Sequence, residues 1–192
     1  MSRRTGGGGE QILFPRREDF GERAVAGRRA GFVQGNSHAM KILEILDKRF
    51  IVPNLAAREK KEVLRELVRG IAQVEKLGDE ERMVEILLER ETLGSTGIGD
   101  GVAIPHGKSK TVKKLLASFG RSVSGMDFQS MDGKLTHLFF LLVAPEDSAG
   151  IHLKALARIS RLMKDASFRK RLMEAETRDE MYAIFAEGDE KF

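Results

Sequence analysis

Apolar positions recur along this chain first at helical and then at strand spacing, and each change of period predicts a change of element. Over residues 57–77 the apolar side chains Val63, Leu64, Leu67, Val68, Ile71 and Val74 fall on one face of a helix. A second helix is predicted to open at Asp79, a capping residue followed by the acids Glu80 and Glu81. It runs through Met83, Val84, Leu87 and Leu88 to Gly94. The helical period then stops, and residues 101–104, 115–121 and 136–143 read as strands. The last is apolar almost throughout, as expected for a central strand covered on both faces. Glycine and aspartate near positions 125–127 and 131–133 mark turns between strands.

From Asp147 or Ser148 the helical period returns, with Ile151, Ala155, Leu156, Ile159, Leu162 and Met163 on the apolar side. Two shorter helices close the chain, the last opening with the capping-box pattern Thr177-Arg178-Asp179-Glu180. Helices before and after a group of strands predict an α/β fold, a sheet sandwiched by helices.

Ahead of all this, residues 1–39 show no sustained period and carry Gly6 to Gly9 among scattered arginines. Such a segment buries too little apolar area to offset its ordering entropy, so it is expected to be a disordered basic extension or tag. A misassigned start fits equally well, because ordered patterning begins at Met40. Charge follows the same division. The chain is +4 in total, and residues 1–39 hold seven arginines against four acids, a net of +3, which leaves +1 for residues 40–192. A nucleic-acid footprint would place the excess on the folded part, so no nucleic-acid partner is expected. With no cysteine there is no disulfide or thiolate metal site. The longest apolar run, Leu138 to Ala144, is too short to span a bilayer. A cytoplasmic protein without membrane insertion is expected.

The chemistry concentrates in Gly94 to Lys108, GSTGIGDGVAIPHGK, where a short apolar run ends in Pro105 and His106. Two phosphate motifs fail here on spacing. A P-loop ending at Gly107-Lys108-Ser109 would need its first glycine at Val102, and a dinucleotide fingerprint on Gly97 and Gly99 would need its third there. Metal binding lacks a pattern, since His106, His137 and His152 are far apart and form no paired motif. Two readings of His106 stay open on spacing alone: a packed histidine in a tight connection, or a nucleophile surrounded by main-chain N–H groups. A nucleophilic imidazole needs one nitrogen protonated and held, and a strand end offers carbonyls for that. His152 falls in the first turn of its predicted helix, where the positive end of the dipole favours an anion. His137 reads as a core or edge residue, and His38 carries no argument.

The segment from Arg90-Glu91 through Ile104-Pro105-His106-Gly107 closely resembles the active-site motif of the fructose/mannitol-type IIA components of the bacterial phosphotransferase system, in particular the nitrogen-regulatory type. The likeness covers residues 40–192, including the later His152-Leu153 helix. It implies a mixed sheet sandwiched by helices and a phosphotransferase that carries phosphohistidine. His106 would accept the phosphoryl group from an HPr-type carrier, with His152 assisting and Arg90, Ser95 and Thr96 contacting the phosphate. No cofactor, ATP or metal is implied. Asp100 stands where many members have asparagine, and a carboxylate there is expected to face solvent. Onward partners would be a regulatory target or, for a sugar-specific IIA, a IIB transport component. A pure binding module that is never phosphorylated is the remaining alternative.

Overall fold

The computed structural model describes residues 40–191. Expectations about residues 1–39 lie outside that range. A single 3-10 turn, Ile42–Glu44, leads into β1 (Leu46–Val52), and two helices follow, α1 (Lys60–Ala72) and α2 (Glu80–Thr92). Strands β2 (Gly97–Gly99), β3 (Val102–Ala103), β4 (His106–Ser109), β5 (Leu116–Met126) and β6 (Thr136–Pro145) come next. Helices α3 (Ala149–Lys164), α4 (Ala166–Glu174) and α5 (Arg178–Lys191) complete the described chain. Among the described residues no helix is long and apolar enough to cross a membrane.

The six strands form one mixed sheet in the order β1-β5-β6-β3-β2, with β4 also paired to β6. β6 lies antiparallel to β5 on one side and parallel to both β3 and β4 on the other. The register offset is the same for both, since Val102 faces Leu138 and His106 faces Leu142. β3 and β4 are therefore one strand lane interrupted at Pro105, which has no N–H to give a ladder. The Pro105 carbonyl still accepts from Leu142 N at 2.9 Å, so the lane keeps its register through the break.

Both faces of the sheet are covered, as the apolar run in β6 predicts. On β5, Phe119 and Gly120 point to opposite sides. Phe119 stacks edge-on against Phe185 of α5 at 5.0 Å between ring centroids, within a cluster that adds Phe140 and Phe168. On the other face a Cβ at Gly120 would come within 2.9 Å of Leu55 and Leu67, so glycine lets α1 sit down on the strand. The buried Arg121, next along β5, donates to the carbonyls of Pro53, Leu172 and Met173 and to Asn54 Oδ1, tying the end of α4 to the sheet.

Several local expectations need adjustment. The helix expected over 57–77 is shorter at both ends, running Lys60–Ala72, and ahead of it Ala56 and Ala57 donate their N–H groups to the Glu66 carboxylate. β1 was not anticipated: the polar triplet Asp47-Lys48-Arg49 breaks its alternation, and it pairs with β5 through an irregular register. β2 and β4 have no apolar pattern either and are defined by their ladder bonds. Ile151, expected on the apolar side of α3, is 51% exposed, while His152 takes the buried position. One residue is 100° of helix rotation, so Ile151 belongs outside the face set by His152, Ala155, Ile159 and Leu162. The predicted caps are present: Asp79 accepts from Arg82 N, and Thr177 and Glu180 bond each other's N–H groups.

Candidate functional site

His106 opens β4 on the strand lane that borders β6, and its ring is half-buried. Gly107 beside it faces Ile86 and Leu87 of α2, so alternation sends the His106 ring to the opposite face, towards α3. There it meets His152 edge-on, with ring centroids 5.6 Å apart. From the end of α2, Arg90 reaches over the β4 edge and places Nε 3.1 Å from His106 Nε2, while its Nη1 donates to the Gly94 carbonyl. His106 Nδ1 lies 2.8 Å from the Ile104 carbonyl.

These contacts assign the tautomer. A carbonyl can only accept and the Arg90 Nε–H can only donate, so Nδ1 carries the proton and Nε2 presents its lone pair. Burial holds the His106 pKa below the usual imidazole value; the Ile104 carbonyl opposes this, Arg90 reinforces it and Glu91 opposes it. His152 is pushed down to about 4, first by burial and then by the charges of His106 and Lys108. Both rings are therefore neutral at pH 7. Among the described residues, none offers the buried His152 Nε2 a hydrogen bond.

The hydroxyls in the glycine-rich loop are engaged elsewhere. Thr96 is buried, and both its N–H and its hydroxyl donate to Glu91. The Ser95 hydroxyl donates to the Phe128 carbonyl at 3.2 Å and accepts from Gly97 N. The structure thus brings His106, His152 and Arg90 together, with Ser95 and Thr96 built into the loop beside them. Asp100 does face solvent. It occupies a left-handed backbone position (φ 54°), which favours asparagine or aspartate, and its carboxylate pairs with Arg169 at 3.4 Å. His137 stands near the other end of β6, with Nδ1 3.1 Å from the Ser122 carbonyl. Among the described residues no three histidine, aspartate or glutamate side chains gather as a metal set.

Sequence reasoning missed the buried Glu91 and its ion pair with Lys60 of α1, at 3.1 Å. The signal was available: Met83, Val84, Leu87 and Glu91 lie on one stripe of α2, so the glutamate falls on the face that the apolar residues bury. The apolar side chains Leu93, Ile151 and Leu153 stand exposed beside these site residues in the chain.

Residues 44–188 match the family described as "Phosphoenolpyruvate-dependent sugar phosphotransferase system, EIIA 2". The chain belongs to that family and is a IIA-type component of the phosphotransfer system. It is 43% identical over 148 residues to a nitrogen regulatory protein of Bradyrhizobium diazoefficiens, covering 77% of this chain and 95% of the relative. It is 41% identical over 150 residues to the fructose-specific EIIABC component of Bacillus subtilis, covering 78% of this chain but only 24% of that longer protein. The crystal structure of the nitrogen regulatory protein IIA-Ntr from Neisseria meningitidis superposes with a TM-score of 0.69 at 35% identity, covering 74% of this chain and 97% of the other. The expected α/β fold with a mixed sheet sandwiched by helices is the fold found.

Proposed function

We propose that this protein is a histidine phosphocarrier that accepts a phosphoryl group on His106 Nε2 from an HPr-type carrier and has a regulatory output. The observation that carries the reading is the fixed His106 tautomer, with Nδ1–H on the Ile104 carbonyl and the Nε2 lone pair between Arg90 and His152. In-line transfer forms the Nε2–P bond as the donor's N–P bond breaks, and the electron pair of the broken bond returns to the donor imidazole. The step needs positioning and charge stabilisation. Arg90 turns its guanidinium from Nε2 onto the phosphoryl oxygens, where its fork matches their geometry. His152 Nε2, buried and without a partner among the described residues, donates to one of those oxygens. Its low pKa keeps it neutral, a hydrogen-bond donor that brings no second proton equilibrium to the site. Ser95 and Thr96 shape the loop, and direct contact with phosphate would require each hydroxyl to leave its present acceptor.

The regulatory output is favoured by the 43% identity to a nitrogen regulatory protein matched over almost its whole length. The 41% identity to a fructose-specific EIIABC component supports a second reading, a sugar-specific IIA that passes its phosphate to a IIB partner. Incubation with phosphoenolpyruvate, enzyme I and an HPr-type carrier tests the shared step by intact-protein mass. The expected result is one acid-labile phosphoryl group on the wild type and none on His106→Ala. Phosphate on the His106→Ala variant, or none on the wild type with a carrier proven active on another acceptor, overturns it. Onward movement of phosphate to a sugar-specific IIB protein would favour the second reading.

A further inference from the structure

We propose that Glu91, with Lys60 as its counter-cation, is a positioning residue that sets the tautomer and the aim of His106; this rests on reading His106 as the phosphoryl acceptor. Glu91 occupies a buried position of α2, four residues after Leu87, where apolar side chains would cost less to desolvate. Both carboxylate oxygens are used. Oε1 accepts from the Thr96 N–H at 3.0 Å and from the Thr96 hydroxyl, and Oε2 accepts from Lys60 Nζ at 3.1 Å. Lys60 is itself fixed, donating to Gln129 Oε1 at 2.9 Å and lying 4.5 Å over the Phe128 ring.

From Thr96 the hydrogen bonds run to the nucleophile. The Thr96 carbonyl accepts from Ile104 N at 2.9 Å, and the Ile104 carbonyl takes the His106 Nδ1 proton at 2.8 Å. His106 Nε2 accepts from Arg90 at 3.1 Å, and Arg90 is the residue before Glu91. The circuit closes on itself. Glu91 thus references both nitrogens of the imidazole to one point: Nδ1 through Thr96 and Ile104, Nε2 through its own backbone neighbour. Anchoring the loop alone would not need a charge there. The Ser95 hydroxyl on the Phe128 carbonyl, Gly99 N on Ser130 Oγ and Met131 N on the Gly97 carbonyl already tie the loop to residues 128–131. An amide in place of the carboxylate has one acceptor oxygen for two donors; turned to the Lys60 ammonium it releases Thr96, and with it the Ile104 carbonyl that selects the Nδ1–H form.

The test uses the full chain with ¹⁵N-labelled histidine, comparing wild type, Glu91→Gln and the double variant Lys60→Met/Glu91→Gln. The readouts are two-bond ¹H–¹⁵N correlations of His106 and single-turnover phosphoryl transfer from a phosphorylated HPr-type carrier. In the wild type, His106 shows a single Nδ1–H pattern. In Glu91→Gln the Lys60 ammonium faces an amide, the His106 nitrogen shifts average towards a tautomer mixture, and transfer slows about ten- to a hundredfold, as small misalignments of a nucleophile do. The loss falls on the rate constant more than on half-saturation by the donor. The double variant removes the ammonium and leaves the glutamine oxygen to accept from Thr96, so the Nδ1–H pattern and most of the rate return. A folded Glu91→Gln protein with wild-type shifts and wild-type rate overturns the proposal. So does a folded double variant that stays as slow and as averaged as the single one. If Glu91→Gln fails to fold, Thr96→Val, which removes only the hydroxyl bond, is expected to average the His106 nitrogen shifts in part and to slow transfer, and wild-type shifts with a wild-type rate in that variant overturn the proposal. If the wild type never takes phosphate, the phosphocarrier reading falls, while the nitrogen shifts still decide whether Glu91 sets the tautomer.

Discussion

Replacing His152 by glutamine should flatten the acid side of the stability profile, and the size of the change follows from the site. Folded His152 has its pKa pushed down to about 4 by burial, by His106 and by Lys108, whereas an unfolded chain titrates near the ordinary imidazole value of about 6.5. Between those values the unfolded state binds a proton that the folded state refuses. Stability from this group is therefore complete above pH 6.5 and is lost as pH falls towards 4. Each unit of pH within that window is worth about 1.4 kcal/mol, so at pH 5 the wild type has lost on the order of 2 kcal/mol through His152. Glutamine does not titrate. The carboxylates are common to both proteins, so the difference between the two profiles reports His152 together with its effect on the neighbouring His106. Urea unfolding at pH 7.5, 6.5, 5.5 and 5.0 measures it. The gap between variant and wild type should move in the variant's favour by about 2 kcal/mol from pH 7.5 to pH 5, roughly 1 M in the urea midpoint. Parallel profiles would refute the burial of a neutral His152 against His106.

Two further outcomes test the packing that holds the site. Phe185→Ala empties the centre of the ring cluster formed with Phe119, Phe140 and Phe168, and should cost about 3–5 kcal/mol in urea unfolding; a loss below about 1 kcal/mol would mean the cluster collapses around the gap. Arg121→Met keeps the volume but strips the donor from the carbonyls of Pro53, Leu172 and Met173, at about 3 kcal/mol. The melting temperature should fall by roughly 6–12 °C, and an unchanged value would show that those carbonyls find other donors.

Much of this protein could be read without coordinates, because its local signals agree with its fold. Asp79 and the Thr177–Glu180 pair cap helices where their residue types predict, and the apolar run of β6 lies at the centre of the sheet. His106 stood out through the glycine-rich, proline-broken segment that now forms the β3–β4 lane. β1 stayed hidden because its centre is polar and its pairing is irregular. The tie between Glu91 and Lys60 stayed hidden because a stripe position says which side of a helix is buried and not which cation lies opposite.

By itself, then, the sequence determined the order of the amphipathic helices and the central apolar strand, where the capped helices α2 and α5 start, and which residues are candidates for chemistry, since all of these depend on near neighbours in the chain. Tertiary structure alone decided that His106 and His152 meet. The pairing of β4 with β6, His106 opposite Leu142, brings the His106 imidazole to the end of β6 that leads into α3. Rotation of that helix by a single position, with Ile151 out and His152 in, turns the second imidazole towards the first. Register and rotation are set by packing against the whole sheet, and no local period records them.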